Sequence, residues 1–494
     1  MDDVTLHKKI PAIHGITCDS RQARPGYAFV AINGFKTDGN NYIKEAIDKG
    51  AAIIFTDKKL EKKIINQYNI PIIHVENARA YLAYLAAEFY DYPSNKINLI
   101  GITGTNGKTT TTHLIYHLLN HTHLKDDIKN IPPKKAGLIG TVQVDTGKTS
   151  KPGNLTTPDP VSLQKYLLDM VDNGLKFACI EISSHGIKLD RIKGNQFSVK
   201  VGTNITADHF DLHPNFDDYK NVKRSFLEDK SKDTLVLLNS DNNYIKSFGV
   251  IAKKQLNFAI HKNADIIAKN ISQWKKGQSF IYELKKSIKN ANNYIKPCTI
   301  PIKMNLPGEH NIYNALIAIT IAYYYNTPIE VIQNFFENFQ GIWRRMQFIY
   351  DEEFTIIDDC AHNPGSYNAI FNSINNMNFN KLIIVNSLRG NRGIKINEEN
   401  ANTISSFLKE LREKEYFLIT TNCNDVVQKI DKVKKQEEKA FLRILEKNNV
   451  KYEHLDLLEP ALQKALKKVS NNDIILLVGP HAMDNAGNMV LNMF

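Results

Sequence analysis

The stretch Asn98–Leu119, NLIGITGTNGKTTTTHLIYHLL, decides how the chain is read. Leu99 and Ile100 close a short apolar run that reads as the end of a buried strand. Gly-Ile-Thr-Gly-Thr-Asn-Gly-Lys-Thr-Thr follows, and then Leu114, Ile115, Leu118 and Leu119 recur on one helical face. Strand, glycine-rich loop, Lys-Thr and helix in that order is the layout of a phosphate-binding loop. Gly104 and Gly107 let the backbone turn tightly and aim its N–H groups at an anion. The helix beginning there adds its positive end. Lys108 supplies a point charge for β- and γ-phosphates, and the Thr109 hydroxyl is placed to hold Mg²⁺. Thr105, Asn106 and Thr110 complete the nucleotide-binding run. Ile102 stands where the common pattern has glycine.

Working outward, a chain of 494 residues is too long for one core. At roughly 150 residues per domain it reads as three domains, with expected bounds 1–96, 97–340 and 341–494. Apolar content of 42% and charged content of 23% are those of a soluble globular protein. No stretch approaches the roughly 20 apolar residues of a membrane span, and MDDVTLHKKIPAIHGITCDS lacks the apolar core of a signal peptide. Cys18, Cys179, Cys298, Cys360 and Cys423 are scattered, so free thiols in a cytoplasmic, reducing setting are expected, with no cysteine zinc site. The net charge of +11 is spread along a Lys-, Asn- and Ile-rich chain. It suits a solvated surface or a polyanionic small substrate better than nucleic acid.

Before the phosphate loop the chain reads as a small α/β unit. Strands are expected at 27–32, 51–55 and 71–75, and helices at 40–49 and 78–90, the second capped by Asn77. Pro93-Ser94 reads as a linker. Arg21, in a loop beside the first strand, either grips a phosphate bidentately or decorates a surface turn. After the phosphate loop, strand and helix alternate as in a doubly wound sheet. Glu181 ends the apolar strand 177–182, on the side where ligands sit in open sheets. A carboxylate there needs a partner, either a metal ion or an ordinary ion pair. His209 follows the strand 199–203 and reads as a metal ligand or a surface residue. Lys220 and Lys223 share one face of the helix 217–227, which from spacing alone reads as solvated. Residues 262–300 read as β-hairpins. Asn311 and Asn314 open a helix, as caps or as contacts to a base or sugar. Gly341–Met346 reads as a hinge into a second parallel α/β domain, and 426–447 as a solvated helical region.

Taken together, TGTNGKTTT, CDSRQARPGYAFVAINGFKTDG, GLIGT, LTTPDP, EISSH, TNITADHFDLHPNFDDYKNVK, GEHNIYNA and DCAHNP resemble the Mur ligases over nearly the whole chain. The closest type is MurE, the UDP-N-acetylmuramoyl-tripeptide synthetases. Folylpolyglutamate synthases share the later motifs but lack the N-terminal block. The resemblance implies a three-domain α/β architecture with a central P-loop parallel sheet and a C-terminal Rossmann-like domain. It implies an ATP- and Mg²⁺-dependent amide-bond ligase that extends UDP-MurNAc-L-Ala-D-Glu by one amino acid through an acyl phosphate. Small-molecule substrates, no nucleic acid, no membrane and a monomeric state are expected.

Position by position, Ser20 and Arg21 match the uridine block. Thr156, Thr157, Ser184 and Arg191 match positions that hold the sugar-peptide. Thr109, Glu181 and His209 match magnesium ligands. Lys223 matches a lysine that family members carbamylate to position a second Mg²⁺. Asn311 matches a position beside adenine, and Arg345, Asp359 and His362 the C-terminal part of the ATP site. Lys108, Lys223 and His209 are thereby the expected catalytic groups.

Several positions depart from that pattern. Family members often carry Gly where Arg344 stands. His362-Asn363-Pro364 is closer to folylpolyglutamate ligases. Thr421–Asn424 lacks the Asp-Asn-Pro-Arg of diaminopimelate-adding enzymes, and Gly479–Met483 lacks their Gly-Lys-Gly-His-Glu. The side-chain pocket is therefore expected to differ, with Arg392 still available for an α-carboxylate. A Mur-like ligase acting on another acid, and a nucleotide-binding partner protein without ligase activity, are the alternatives.

Overall fold

The computed structural model describes residues 12–34, 37–65, 67–121, 134–206, 213–248, 252–290, 294–411 and 414–494. These form two compact units, Met1–Gly101 with Pro133–Val199, and Ile102–Pro132 with Lys200–Phe494.

The first unit begins with a four-stranded parallel sheet of Gly15–Thr17, Tyr27–Ala31, Ile53–Thr56 and Ile72–His74, in chain order. Alternate residues serve opposite faces, as strand geometry dictates. Ala28, Val30, Ile53 and Phe55 pack on Ala78, Leu82 and Ala86 of the helix Ala78–Phe89. Phe29, Ala31 and Ile54 pack on Ile43 and Ala46. Asn77 caps the first of these helices by accepting from the Ala80 N–H. The strand Gly15–Thr17 was not expected, because three residues carry too little pattern to show alternation. Pro93-Ser94 is not an open linker: both are buried in a 3₁₀ turn, and Ser94 Oγ accepts from the Gln196 N–H at 3.1 Å.

The same unit carries the strands Asn98–Thr103, Phe177–Ile182, Ala136–Ile139, Gln143–Asp145 and Ser150–Pro152, adjacent in that order. Ala136–Ile139 pairs in parallel with Phe177–Ile182, and the last two strands add an antiparallel hairpin. Both faces of the parallel part are covered, which is why FACIEI reads as a continuous apolar run.

In the second unit, Cys298–Met304, Gly277–Leu284, Ile266–Trp274, Lys254–Ala259, Leu235–Asn239 and Val199–Gly202 lie in that order. The first three are antiparallel, the hairpins expected at 262–300; the next pairings run parallel. The helices Lys108–Asn120 and Glu309–Tyr324 are joined by a bond from Thr111 Oγ1 to Asn314 Oδ1 at 2.9 Å.

A second sheet in this unit orders Gln347–Asp351, Thr355–Asp359, Ile474–Val478, Lys381–Ser387, Glu415–Thr421 and Tyr452–Leu455. All its pairs are parallel except the first. Helices cover both faces: Phe371 and Phe407 stack at 4.1 Å on one, and Leu458, Ala461, Leu462 and Ala465 pack on the other. This is the second parallel α/β domain expected from sequence.

The region 426–447 corrects an expectation. Only Lys435–Lys447 is an α-helix, preceded by a 3₁₀ turn at Lys429–Asp431. It is not solvated all round either, since Phe441, Ile444 and Leu445 join the core beside Ala401 and Ile404. Their helical spacing outweighs the many charges around them.

Within the helix Lys108–Asn120, His113 is buried, and its Nε2 has no hydrogen-bond partner among the described residues. Burial pushes its pKa down to about 3. The folded state thus keeps it neutral while the unfolded chain takes up a proton below about 6.5. Stability from this group is full above that pH and declines by about 1.4 kcal/mol per pH unit as pH falls toward 3. Denaturant midpoints at pH 7 and pH 5 should therefore differ by about 2 kcal/mol in free energy. The variant His113→Phe should flatten the dependence; an unchanged slope would remove His113 as its cause.

Candidate active site

The phosphate loop of the second unit is held in shape by the strand end that follows it in space. Thr105 N–H donates to Asn204 O at 2.8 Å, and Asn106 N–H to Asn204 Oδ1 at 3.0 Å. Thr203 Oγ1 and Asn204 Nδ2 both donate to Asn106 O, at 2.7 and 3.0 Å. Gly104 has φ +151°, and a Cβ there would run into Thr203 Oγ1. Gly107 has φ +84°, and its Cβ would lie 2.8 Å from Asn314 Oδ1. Only glycine satisfies both the backbone angle and the close approach. Thr109 and Thr110 are buried in the first helical turn.

Two lysines converge on this loop. Lys108 Nζ donates to Gly104 O at 2.9 Å and Thr105 O at 2.8 Å. Lys223 Nζ donates to the same Gly104 O at 2.8 Å and to Thr103 Oγ1 at 3.4 Å, and lies 4.9 Å from the centre of the Tyr219 ring. Lys223 is only 1% exposed, which corrects the reading of a solvated lysine face. Helix Phe216–Leu227 turns Tyr219 and Lys223, four apart, inward, and leaves Lys220 outside beside Asp217 at 2.6 Å. The apolar cue for that rotation is Tyr219, Phe226 and Leu227, which are buried with Lys223. Thr105 Oγ1 and the Tyr219 hydroxyl are 2.9 Å apart, so Tyr219 is a loop-positioning residue that sequence reasoning missed. His209 lies outside the described residues.

Asn311 and Asn314 brace backbone and helix. Asn311 Nδ2 donates to Pro307 O at 2.8 Å, and Asn314 Nδ2 to Asn311 Oδ1 at 3.1 Å.

Around the start of the C-terminal sheet, Asn106 and Asn363 exchange amide hydrogen bonds at 3.2 and 3.1 Å. Gly365 permits that approach, since a Cβ there would lie 2.9 Å from Asn106 Nδ2. His362 Nδ1 lies 2.6 Å from Cys360 O. Asp359 Oδ2 accepts from the Met346 N–H at 2.7 Å, and burial pushes its carboxyl pKa up. Arg345 Nη1 donates to Arg344 O at 2.9 Å.

Arg344 itself is completely buried, with φ +51°. Its guanidinium donates to Asp358 Oδ1 at 3.0 Å, Asp484 Oδ1 at 2.5 Å, Gly479 O at 2.7 Å, Pro480 O at 3.1 Å and Asp359 O at 3.3 Å. Arg344, in the segment expected as a hinge, thus forms an ionic knot that fastens the loop after the last strand.

Arg392 is partly exposed, donating to Asn391 O at 3.1 Å and lying 3.4 Å from Asp431. Its loop is gripped from below by Glu437, which accepts the N–H groups of Asn391, Arg392 and Gly393 at 2.9, 2.9 and 2.7 Å. Glu437 was hidden in sequence among the charges of 426–447.

In the first unit, Glu181 is fully buried at its strand end. It accepts from the Thr141 N–H at 2.9 Å and Thr141 Oγ1 at 3.2 Å. A Cβ on Gly140 would run into its carboxylate. Thr156 Oγ1 lies 2.9 Å from Thr141 Oγ1, and Thr157 Oγ1 donates to Glu181 O at 2.8 Å. Arg191 Nη1 donates to Thr157 O at 2.8 Å. Ser184 Oγ is buried with no hydrogen-bond partner among the described residues, as a group awaiting a ligand would be. So Thr156, Thr157, Glu181 and Arg191 form one connected edge, and Ser184 follows Ser183, whose Oγ lies 3.0 Å from Thr157 Oγ1. Thr141 belongs to it and was legible only as part of GLIGT.

Ser20 and Arg21 lie in a 3₁₀ turn, Ser20–Gln22, that follows the first strand. Ser20 Oγ donates to Glu45 at 2.7 Å. Arg21 faces Asp19 bidentately at 2.9 and 2.7 Å, with its side chain 82% exposed. That exposure leaves the pair weak and exchangeable.

Residues 12–90 match a family model described as the Mur ligase family catalytic domain, 102–322 the Mur ligase middle domain, and 344–481 the Mur ligase glutamate ligase domain. UDP-N-acetylmuramoyl-L-alanyl-D-glutamate--2,6-diaminopimelate ligase of Bacillus velezensis is 30% identical over 481 residues, covering 95% of this chain and 89% of that protein. A solved structure of a ligase with that name aligns with TM-score 0.63 at 18% identity, over 97% of this chain and 95% of the other. The MurF ligase of Thermotoga maritima in complex with ADP aligns with TM-score 0.61 at 16% identity, over 99% and 98%. No helix among the described residues is long and apolar enough to cross a membrane. With all three family segments in sequence and a relative matched almost end to end, the chain belongs to the Mur ligases, ATP-dependent, ADP-forming enzymes of peptidoglycan synthesis.

Proposed function

We propose that the protein adds an amino acid to UDP-MurNAc-L-Ala-D-Glu, the acceptor named in its diaminopimelate-adding relatives. The observation that carries the reading is the convergence of Lys108 and Lys223 on one carbonyl, Gly104 O. Positive charge gathered at that carbonyl favours an anion such as a triphosphate, and carbamylation of Lys223 would turn its side chain into an oxygen donor.

A carboxylate is a poor acyl donor. Its oxygen therefore attacks the γ-phosphorus of ATP, ADP departs, and an acyl phosphate forms. The incoming amine then attacks the acyl carbon, phosphate leaves, and the nitrogen sheds a proton. The first step brings two anions together, so positive charge at the phosphates is its main requirement. Lys108 supplies it directly, and the start of the helix Lys108–Asn120 adds its positive end.

Thr109, Glu181 and His209 are proposed ligands for Mg²⁺, with Lys223 if carbamylated. The Thr109 hydroxyl and the Glu181 carboxylate are the hard oxygen donors that this ion takes. When bound, Mg²⁺ supplies charge neutralisation at the transferred phosphoryl group. Thr105, Asn106 and Thr110 are assigned to ATP with the rest of the loop. Asn311 is assigned to adenine, and Arg345, Asp359 and His362 to the C-terminal side of ATP. Ser20 and Arg21 are assigned to uridine. Thr156, Thr157, Ser184 and Arg191 are assigned to the sugar-peptide, and Arg392 to the α-carboxylate of the amino acid. A monomer working in the cytoplasm, in domains 1–96, 97–340 and 341–494, completes the proposal.

Thr421–Asn424 and Gly479–Met483 differ from the diaminopimelate pattern, so the incoming amino acid is open. The second reading is a Mur-like ligase with another acid acceptor. An ADP-release screen decides. With UDP-MurNAc-L-Ala-D-Glu, one amino acid should raise ADP release well above ATP alone. Release with a different acid instead would establish the second reading, and no release with any pair would overturn both.

A further inference from the structure

Two departures from the family pattern, Arg344 and the segment Gly479–Met483, meet in space. Arg344 holds the backbone of that segment, donating to Gly479 O at 2.7 Å and Pro480 O at 3.1 Å. It also donates to Asp484 Oδ1 at 2.5 Å. The other oxygen of that carboxylate, Oδ2, lies 3.1 Å from His481 Nδ1. His481 opens the 3₁₀ turn His481–Met483, just beyond the carboxyl end of the strand Ile474–Val478. That is the side on which open α/β sheets bind ligands. The steps set out above give this ring no role.

The contact with Asp484 fixes the tautomer. An ionised carboxylate only accepts, so neutral His481 keeps its hydrogen on Nδ1. The lone pair then sits on Nε2, which has no hydrogen-bond partner among the described residues. The side chain is 55% exposed, so that nitrogen is open to a substrate. An imidazole oriented from behind by a carboxylate, itself held by a third group, is the arrangement that proton-accepting catalysis uses.

The neighbours of the ring belong to both substrate loops. The bond to Asp484 raises its pKa above the ordinary 6.5, against the opposing effect of burial, and Cys360 and Asp431 are near enough to add to the rise. Cys360 stands in the same loop as Asp359 and His362, which are assigned to ATP. Asp431 lies 3.4 Å from Arg392, which is assigned to the α-carboxylate of the amino acid. Amide formation takes place where those two substrates meet.

We propose that His481 is the general base of amide formation, with Asp484 and Arg344 as its positioning residues. The inference rests on the acyl-phosphate reading and names the proton acceptor which that reading lacks. As the uncharged amine bonds to the acyl carbon, its nitrogen becomes cationic. One N–H proton passes to His481 Nε2, and the nitrogen keeps the electron pair. The C–O bond to phosphate breaks, and its pair leaves with the phosphate. The imidazolium, balanced by Asp484, then returns its proton to water.

The test gives the full chain ATP, Mg²⁺ and UDP-MurNAc-L-Ala-D-Glu. The nucleophile is either hydroxylamine or a mixture of the common amino acids with diaminopimelate. Hydroxylamine converts acyl phosphates to hydroxamates without enzymatic help. His481→Gln should form hydroxamate at the parental rate and amide about 10²-fold more slowly. The parent's amide rate should fall as pH drops through a value above 6.5, where Nε2 takes up a proton, and the variant should lack that fall. Amide formation at the parental rate in the variant would overturn the proposal. So would equal loss of hydroxamate and amide, since His481 would then act before the amine arrives. If the parent itself made no hydroxamate, the acceptor assignment would fail, and the proposal with it.

Discussion

Replacing Lys108 with alanine should lower the ADP-forming rate by about 10²–10³-fold while leaving the protein folded. The ammonium donates to two loop carbonyls, Gly104 O and Thr105 O. Those carbonyls are part of a loop held separately by Thr203, Asn204 and Tyr219. Removing the side chain therefore removes charge more than support, and an effect made in the transition state falls on kcat. Lys220→Ala is the matched control, since that lysine lies outside beside Asp217. It should turn over normally. Steady-state ADP release on both variants is the measurement. A Lys108→Ala enzyme as fast as the parent would remove this residue, and the loop with it, from the chemistry.

The second large effect is on stability. Arg344→Ala should destabilise the C-terminal part of the chain by about 3–5 kcal/mol. The guanidinium is wholly buried and bonded to two carboxylates and three carbonyls. Its loss leaves Asp358, itself 2% exposed, without its cation and frees the segment Gly479–Asp484. Arg344→Gly should be milder by about 1 kcal/mol, because glycine accepts the positive φ that alanine resists. Chemical denaturation of the three proteins checks both the size and the order. Equal midpoints would mean that the ionic knot contributes nothing net.

The contrast between these two residues shows where sequence suffices. Lys108 was legible because a phosphate loop is a local device: strand, turn and helix lie within 22 residues, and each carries its own signature. The central and C-terminal strands were legible for the same reason, as apolar runs ending in polar groups. Arg344 was visible only as an oddity, because its partners come from 358–359 and 479–484, distant in sequence. Lys223 was misplaced by spacing alone, since a helix with a lysine every third residue looks solvated until the strand it packs on is known. Glu437 was lost among like neighbours in a charged run. The strands Gly15–Thr17 and Tyr452–Leu455 did not declare themselves, although the equally short Ile72–His74 and Ile53–Thr56 did, as β-branched apolar runs.

The paired amides of Asn106 and Asn363 join the phosphate loop to the first helix of the C-terminal sheet by two uncharged hydrogen bonds. Such bonds are worth about 1 kcal/mol each. A clasp of about 2 kcal/mol stands undone roughly 3% of the time at room temperature. The clasp is therefore fastened firmly enough to shape the loop and loosely enough that ordinary thermal jostling reopens it.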